Sequence, residues 1–292
     1  MTLVENLVLV FVAGFLTALA TGIGALPFFF VDEFSDRWNV GLWGIASGIM
    51  LTVSMFGLVD EGLAYTSGGF PTMMVGGLLA GVLLVVISDQ ILDDVDLSGD
   101  DDAKERVQAT DGGLDTEELS PEAKAFAEGD LKKLVLILGI LTVHSFPEGV
   151  AVGVSFAELG LDGGLSVVGF SVPLLAVFMT IAISIHNIPE GTAIAIPMRA
   201  MGLSNWRMVG AAIFSSLPQP IGAAIAFVFV SWAEAFLPFG YGFAAGAMVY
   251  LVLTEFIPEA LGTGADLPNR GYRELFVGLG VGVIAMLPVI SL

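Results

Sequence analysis

The hexapeptides His-Ser-Phe-Pro-Glu-Gly (144–149) and His-Asn-Ile-Pro-Glu-Gly (186–191) contain both histidines of the chain, each with a glutamate four residues on. On a helix, positions i and i+4 share a face. His144 with Glu148, and His186 with Glu190, therefore each form a two-pronged polar face. Brought together, two imidazoles and two carboxylates suit Zn²⁺ or a similar divalent transition ion. They suit Mg²⁺ or Ca²⁺ poorly, because those ions prefer oxygen alone. Pro147 and Pro189 cannot donate a backbone hydrogen bond, which frees the carbonyls of Val143 and Ile185, and Gly149 and Gly191 let other backbone approach. A single pair also reads as a hydrogen-bonded structural lock beside a proline kink. Two copies that use both histidines favour ligands. Ser145 and Asn187 adjoin the histidines as supporting or weak ligands, with helix packing the plainer role for Ser145.

These faces lie in an apolar chain. Of 292 residues, 55% are hydrophobic and 14% charged, with a mean hydropathy of +0.88, against roughly 25% charged in soluble domains. Apolar runs long enough to span a bilayer as helix occur near 5–30, 41–61, 71–92, 132–157, 166–198, 207–232, 236–260 and 272–292. The expected fold is an all-α integral membrane protein of eight transmembrane helices. Both hexapeptides fall near the middle of their spans, where ionisable groups are costly and by default mark a pathway. The first run has no Lys or Arg before it and is too long for a signal peptide, so it belongs to the mature fold.

All ten basic residues flank alternate connections: Arg37; Lys104, Arg106, Lys124, Lys132 and Lys133; Arg199 and Arg207; Arg270 and Arg273. The positive-inside rule makes those connections cytoplasmic and puts both termini outside. Of the 30 acidic residues, 14 fall in 93–130. This segment has few large apolar groups and reads as a solvated, disordered cytoplasmic loop within the single transmembrane domain 1–292. A formal net charge of −20 suggests a salt-adapted organism. With no cysteine, thiolate sites and disulfides are excluded.

An internal repeat is also legible. Ile23, Gly24 and Ala25 match Ile221, Gly222 and Ala223 at an offset of 198 residues, and the same offset aligns 46–50 with 244–248 and Glu61 with Glu259. Helices 1–3 and 6–8 would then be inverted copies around a central helix 4/5 pair, as in many secondary transporters. Asp60 and Glu61 become candidates for an outer uptake station, and Glu255 and Glu259 for an exit station; solvated helix ends are the alternative for Asp60, Glu61 and Glu259. The four tryptophans, Trp38, Trp43, Trp206 and Trp232, read as interfacial anchors.

The paired hexapeptides resemble the helix 4 and helix 5 signatures of the ZIP (Zrt-, Irt-like) family of divalent metal transporters. The stretches LATGIGALPFF and FAAGAMVYLVLTEFIPEA resemble its helices 1 and 7. The resemblance implies an often dimeric carrier in the cell membrane that moves Zn²⁺, Cd²⁺, Fe²⁺, Mn²⁺ or Co²⁺ toward the cytoplasm, with first-site ligands at His144, Glu148, His186 and Glu190. Members with two metals carry further ligands at the positions of Ser145, Asn187 and Gln219; the neutral Gln219 stands where a glutamate is usual. No organic cofactor and no nucleic-acid partner are expected. Two rivals remain at this stage. One is an intramembrane metal-dependent hydrolase, although no His-Glu-x-x-His motif occurs. The other is a proton-coupled carrier of another solute.

Overall fold

The computed structural model describes residues 2–31, 34–65, 69–94, 144–159, 164–167, 169–200 and 202–290. All but the first two residues of the acidic segment 93–130, and the start of the run near 132–157, lie outside them.

The described chain is a bundle of helices: α1 Leu3–Ile23, α2 Asp36–Ala64, α3 Thr72–Asp94, α4 residues 144–155, α5 Leu174–Ala200, α6 Asn205–Trp232, α7 Glu234–Thr263 and α8 Tyr272–Ile290. Helices α1, α2, α6, α7 and the Leu174–Ile196 part of α5 are long and apolar enough to cross a membrane, and Thr72–Ser88 of α3 is a shorter apolar stretch. The protein is an all-α membrane protein. Its first helix starts with a capping box: Thr2 Oγ1 accepts from the Glu5 amide at 3.3 Å, and the Thr2 amide donates to the Glu5 carboxylate at 2.8 Å.

One apolar run differs from its sequence expectation. The stretch beginning near 166 opens as a small antiparallel hairpin, β1 Leu165–Val167 and β2 Phe170–Val172, and helix starts only at Leu174. Gly169, at φ 84°, makes the tight turn that a side chain would resist. Pro173 then stands just before the first helical residue, where its missing N–H is harmless.

Glycines set the helix pairing. Helices α2 and α8 meet through Gly44 and Gly48 on one side and Gly278 and Gly282 on the other; an added Cβ at any of them would lie 2.2 to 2.4 Å from a backbone oxygen of the partner. Helices α7 and α3 meet in the same manner through Gly242 and Gly246, and Gly77 and Gly81, at 2.0 to 2.2 Å. In a membrane, where lipid is as apolar as leucine, such small-residue seams let backbones pack closely and supply the association. The remaining pairs use the glycines around the hexapeptides. A Cβ on Gly191 would meet the Thr21 carbonyl of α1 at 1.8 Å, and one on Gly149 would meet the Gln219 carbonyl of α6 at 2.2 Å. The glycines closing the two hexapeptides are thus where α5 crosses α1 and α4 crosses α6.

Two of the helices contain a π turn, Val53–Val59 in α2 and Val252–Phe256 in α7. Each adds a residue to the local turn and rotates the side chains that follow, an arrangement frequent at functional sites. The tryptophan reading needs one correction. Trp38, Trp206 and Trp232 are largely exposed, but Trp43 is buried and packs on Phe256, ring centroids 4.9 Å apart. It is a core residue, held against the π turn of α7.

Candidate metal centre

Helix α5 carries His186 and Glu190 one turn apart, and α4 brings Glu148 across from the neighbouring element. One donor atom from each of Glu148, His186 and Glu190 lies within 4.8 Å of the other two. A tetrahedral ion with bonds of about 2.1 Å holds its ligand atoms roughly 3.4 Å apart. The His186 Nε2 to Glu148 Oε1 distance, 3.3 Å, already meets that spacing. His186 is fully buried and Glu148 nearly so. The Nδ1 of His186 lies 3.2 Å from the Ile183 carbonyl, an acceptor for a proton on Nδ1. With the proton held there, Nε2 is the nitrogen that would bind a metal.

The imidazole of His186 also stacks on Phe256, with centroids 5.8 Å apart and planes 24° apart. Phe256 in turn rests on Trp43. The next residue back on α7, Glu255, engages the other histidine: His144 Nε2 is 2.9 Å from Glu255 Oε1. Consecutive residues of the π turn thus touch one histidine each. His144 stands apart from the three-residue cluster and is more open, its side chain 25% exposed against none for His186.

Behind Glu148 lies a buried amide. Helix α6 breaks at Ser216 and Leu217, because Pro218 and Pro220 cannot complete the ladder. The second residue of the restarted helix, Pro218–Trp232, is Gln219, whose Nε2 donates to Glu148 Oε2. Its Oε1 accepts from Asn187 Nδ2 at 3.0 Å and from the Thr17 hydroxyl at 2.6 Å. Ser145 donates instead to the Ser215 carbonyl at 3.1 Å. Asp60 and Glu259 are exposed, away from the cluster. Glu61 is half-buried and feels the charge of Glu158, which accepts from the Tyr65 hydroxyl at 2.7 Å. Burial, with Glu158 beside it, pushes the Tyr65 phenol above its ordinary pKa.

Sequence reasoning missed Thr17, Phe256 and Trp43 as neighbours of the site. Thr17 carries no motif, and its partner Gln219 is 202 positions away. For Phe256 the signal was its place beside Glu255 in a helix already singled out.

A largely buried cluster of two carboxylates and an imidazole that could hold a metal ion, set among membrane-length helices, defines an integral membrane protein with a candidate metal centre. The family model for ZIP zinc transporters matches residues 7–288, and the chain belongs to that family. It is 30% identical over 285 residues to the zinc transporter GufA of Myxococcus xanthus, covering 94% of this chain and 95% of that one. It is 28% identical over 285 residues to the zinc transporter ZupT of Corynebacterium aurimucosum, with 93% of each chain covered. An Arabidopsis thaliana protein named as a zinc transporter is 39% identical over 244 residues; the match covers 83% of this chain but only 33% of the plant protein. Proteins of this family are transporters of metal ions and not enzymes, so the hydrolase reading falls.

Proposed function

We propose that the chain carries a divalent transition metal, Zn²⁺ foremost, across the cell membrane toward the cytoplasm through Glu148, His186 and Glu190, with His144 completing the ligand set. The observation that carries this reading is the convergence of three donor atoms from opposing helices within 4.8 Å, on the buried Glu148 and His186 and the half-buried Glu190. Its charge balance supports it. Two carboxylates, neutral imidazole and one M²⁺ sum to zero, so the loaded site avoids most of the penalty for an ion at bilayer depth. Removing the metal leaves two carboxylates side by side, so protons favour release and metal binding expels them.

In the proposed topology eight helices span the membrane, both termini lie outside, and helices 1–3 and 6–8 are inverted copies. The paired glycine seams and paired π turns support the repeat: Gly44 and Gly48 correspond to Gly242 and Gly246 at the same offset of 198 found in the sequence. Within that orientation the Leu174 end of α5 is outside. On that side of His186 its surroundings are apolar, lined by Ile49, Met50, Val53, Ala182, Ile183 and Met248. The partly exposed His144 and Glu255 lead inward. Glu61 serves as the uptake station and Glu255 as the first exit station, with Asp60 and Glu259 as their solvated flanks. A homodimer in a salt-adapted organism's plasma membrane completes the reading.

The test is uptake by purified protein in sealed liposomes, offered Zn²⁺, Cd²⁺, Fe²⁺, Mn²⁺ and Co²⁺ separately. Saturable Zn²⁺ accumulation is expected, and solute or proton flux without metal would support the proton-coupled rival instead. Deleting residues 97–127 is expected to leave the Zn²⁺ uptake rate within about twofold, since the acidic loop has no His or Cys. Loss of uptake in a deletion that melts normally would make the loop part of the pathway.

A further inference from the structure

Gln219 is fully buried and held from three sides. An amide nitrogen carries two hydrogens, and Asn187 Nδ2 directs one to the Thr17 carbonyl at 2.8 Å and the other to Gln219 Oε1 at 3.0 Å. The Thr17 carbonyl accepts only, which fixes the orientation of Asn187. That in turn fixes Gln219: its oxygen must face Asn187, and its NH₂ must face Glu148 Oε2. Turning the amide over would set oxygen against carboxylate and NH₂ against NH₂, both repulsive in a dry site. The Thr17 hydroxyl adds to the hold. It lies 2.6 Å from Gln219 Oε1 and 2.7 Å from the Gly14 carbonyl, and its single proton serves the two acceptors.

We propose that Gln219 is a positioning residue that stands in for a second cation, with Thr17 and Asn187 setting its orientation, so that the centre binds one metal and not two. The proposal rests on the reading of Glu148, His186 and Glu190 as ligands. In a two-metal site with ions roughly 3.5–4 Å apart, a bridging carboxylate gives one oxygen to each ion. Glu148 keeps Oε1 open toward the His186 side, while the Gln219 N–H occupies the space beside Oε2. The amide's partial positive charge sits where the second ion would pull, and it arrives without that ion's full charge. Ser145, a hydroxyl that donates to the Ser215 carbonyl, stays neutral and so does not supply the charge of the missing carboxylate. The competing occupant is a second cation, for which Asn187 Oδ1, buried without a hydrogen-bond partner among the described residues, offers an acceptor.

The experiment measures Zn²⁺ bound per chain in the purified full-length protein, together with X-ray absorption to detect a metal–metal distance. Expected for the unmodified protein is one tightly held Zn²⁺ and no metal–metal scattering. Gln219→Glu is expected to hold two, with scattering at roughly 3.5–4 Å. Thr17→Val is expected to keep one Zn²⁺ with about 10- to 100-fold weaker affinity, as for other groups that orient ligands. Its KM for uptake rises while the maximal rate and melting temperature hold, and Thr17→Ser, which keeps the hydroxyl, restores the affinity. Two ions in the unmodified protein, or Gln219→Glu still binding one, would overturn the proposal while leaving the ligand reading intact. So would Thr17→Ser as weak as Thr17→Val. No bound Zn²⁺ in the unmodified protein would remove the ligand reading itself, and the proposal with it.

Discussion

Alanine at Glu148, His186 or Glu190 is expected to reduce metal uptake to the level of empty liposomes while the protein still inserts and purifies. Structural Zn²⁺ sites with four ligands bind with about 10–16 kcal/mol, so each ligand is worth on the order of 3 kcal/mol, a hundredfold or more in affinity. Each of the three donors lies in one cluster, and each carboxylate also balances half of the ion's charge. His144→Ala is expected to remove most uptake by a different route. His144 Nε2 lies 2.9 Å from Glu255 Oε1 and outside the three-residue cluster, so its loss should weaken equilibrium Zn²⁺ binding less than loss of His186, and slow transfer between centre and exit more. Titrating Zn²⁺ into each variant, beside its uptake rate, separates the two kinds of effect. Normal uptake by any two of the four variants would defeat the assignment, and a fall in melting temperature with intact affinity would restore the structural-lock reading.

The second large effect is on stability and concerns Gly191. A Cβ there would stand 1.8 Å from the Thr21 carbonyl, and Gly24 has the reciprocal contact with the Ile188 carbonyl at 2.1 Å. Backbone cannot yield as a flexible side chain can. Gly191→Val must force α1 and α5 apart along the seam that holds the amide network and the ligands. Overpacking a tight core costs about 1–3 kcal/mol, and separating two helices adds the loss of the Asn187 to Thr17 bond at 2.8 Å. The variant is expected to be lost from the folded fraction in detergent, or to melt well below the unmodified protein. Gly76 and Gly280 provide the control, since a Cβ at either meets nothing within 4 Å. Alanine at those positions is expected to be neutral or slightly stabilising, by up to about 1 kcal/mol from helix propensity. Equal melting temperatures for Gly191→Val and Gly280→Ala would show that close approach at the hexapeptide glycines does not hold the bundle.

Local information explains which parts of this architecture can be read in the chain. The His–Glu faces depend only on helical periodicity, and the structure groups His186, Glu190 and Glu148. The approach of other backbone at Gly149 and Gly191 follows from the absence of a side chain, and both glycines make that contact. What could not be read depends on events far apart in sequence or on departures from regular helix. Glu255 meets His144 and Phe256 meets His186 because a π turn changes the register of α7; a period of 3.6 would not place consecutive residues that way. Thr17 resembles any small residue of a membrane helix until α6 breaks at Pro218 and delivers Gln219 to it. Trp43 lies close enough to the start of α2 to look interfacial, and its packing on Phe256, more than 200 positions away, belongs to the buried core. The hairpin at 165–172 looks like part of a long apolar run because Leu, Val and Phe serve strand and helix alike.

The most direct measurement is the position of the metal. Crystals of the protein grown with Zn²⁺, with anomalous differences collected on either side of the zinc absorption edge, are expected to give a strong peak within about 2.0–2.2 Å of Nε2 of His186 and of carboxylate oxygens of Glu148 and Glu190. The account predicts that His144 turns from Glu255 to the same ion, or that a water holds that fourth position. A peak confined to Glu61 and Glu158, or to the acidic segment 93–130, with the cluster of Glu148, His186 and Glu190 empty, would contradict it.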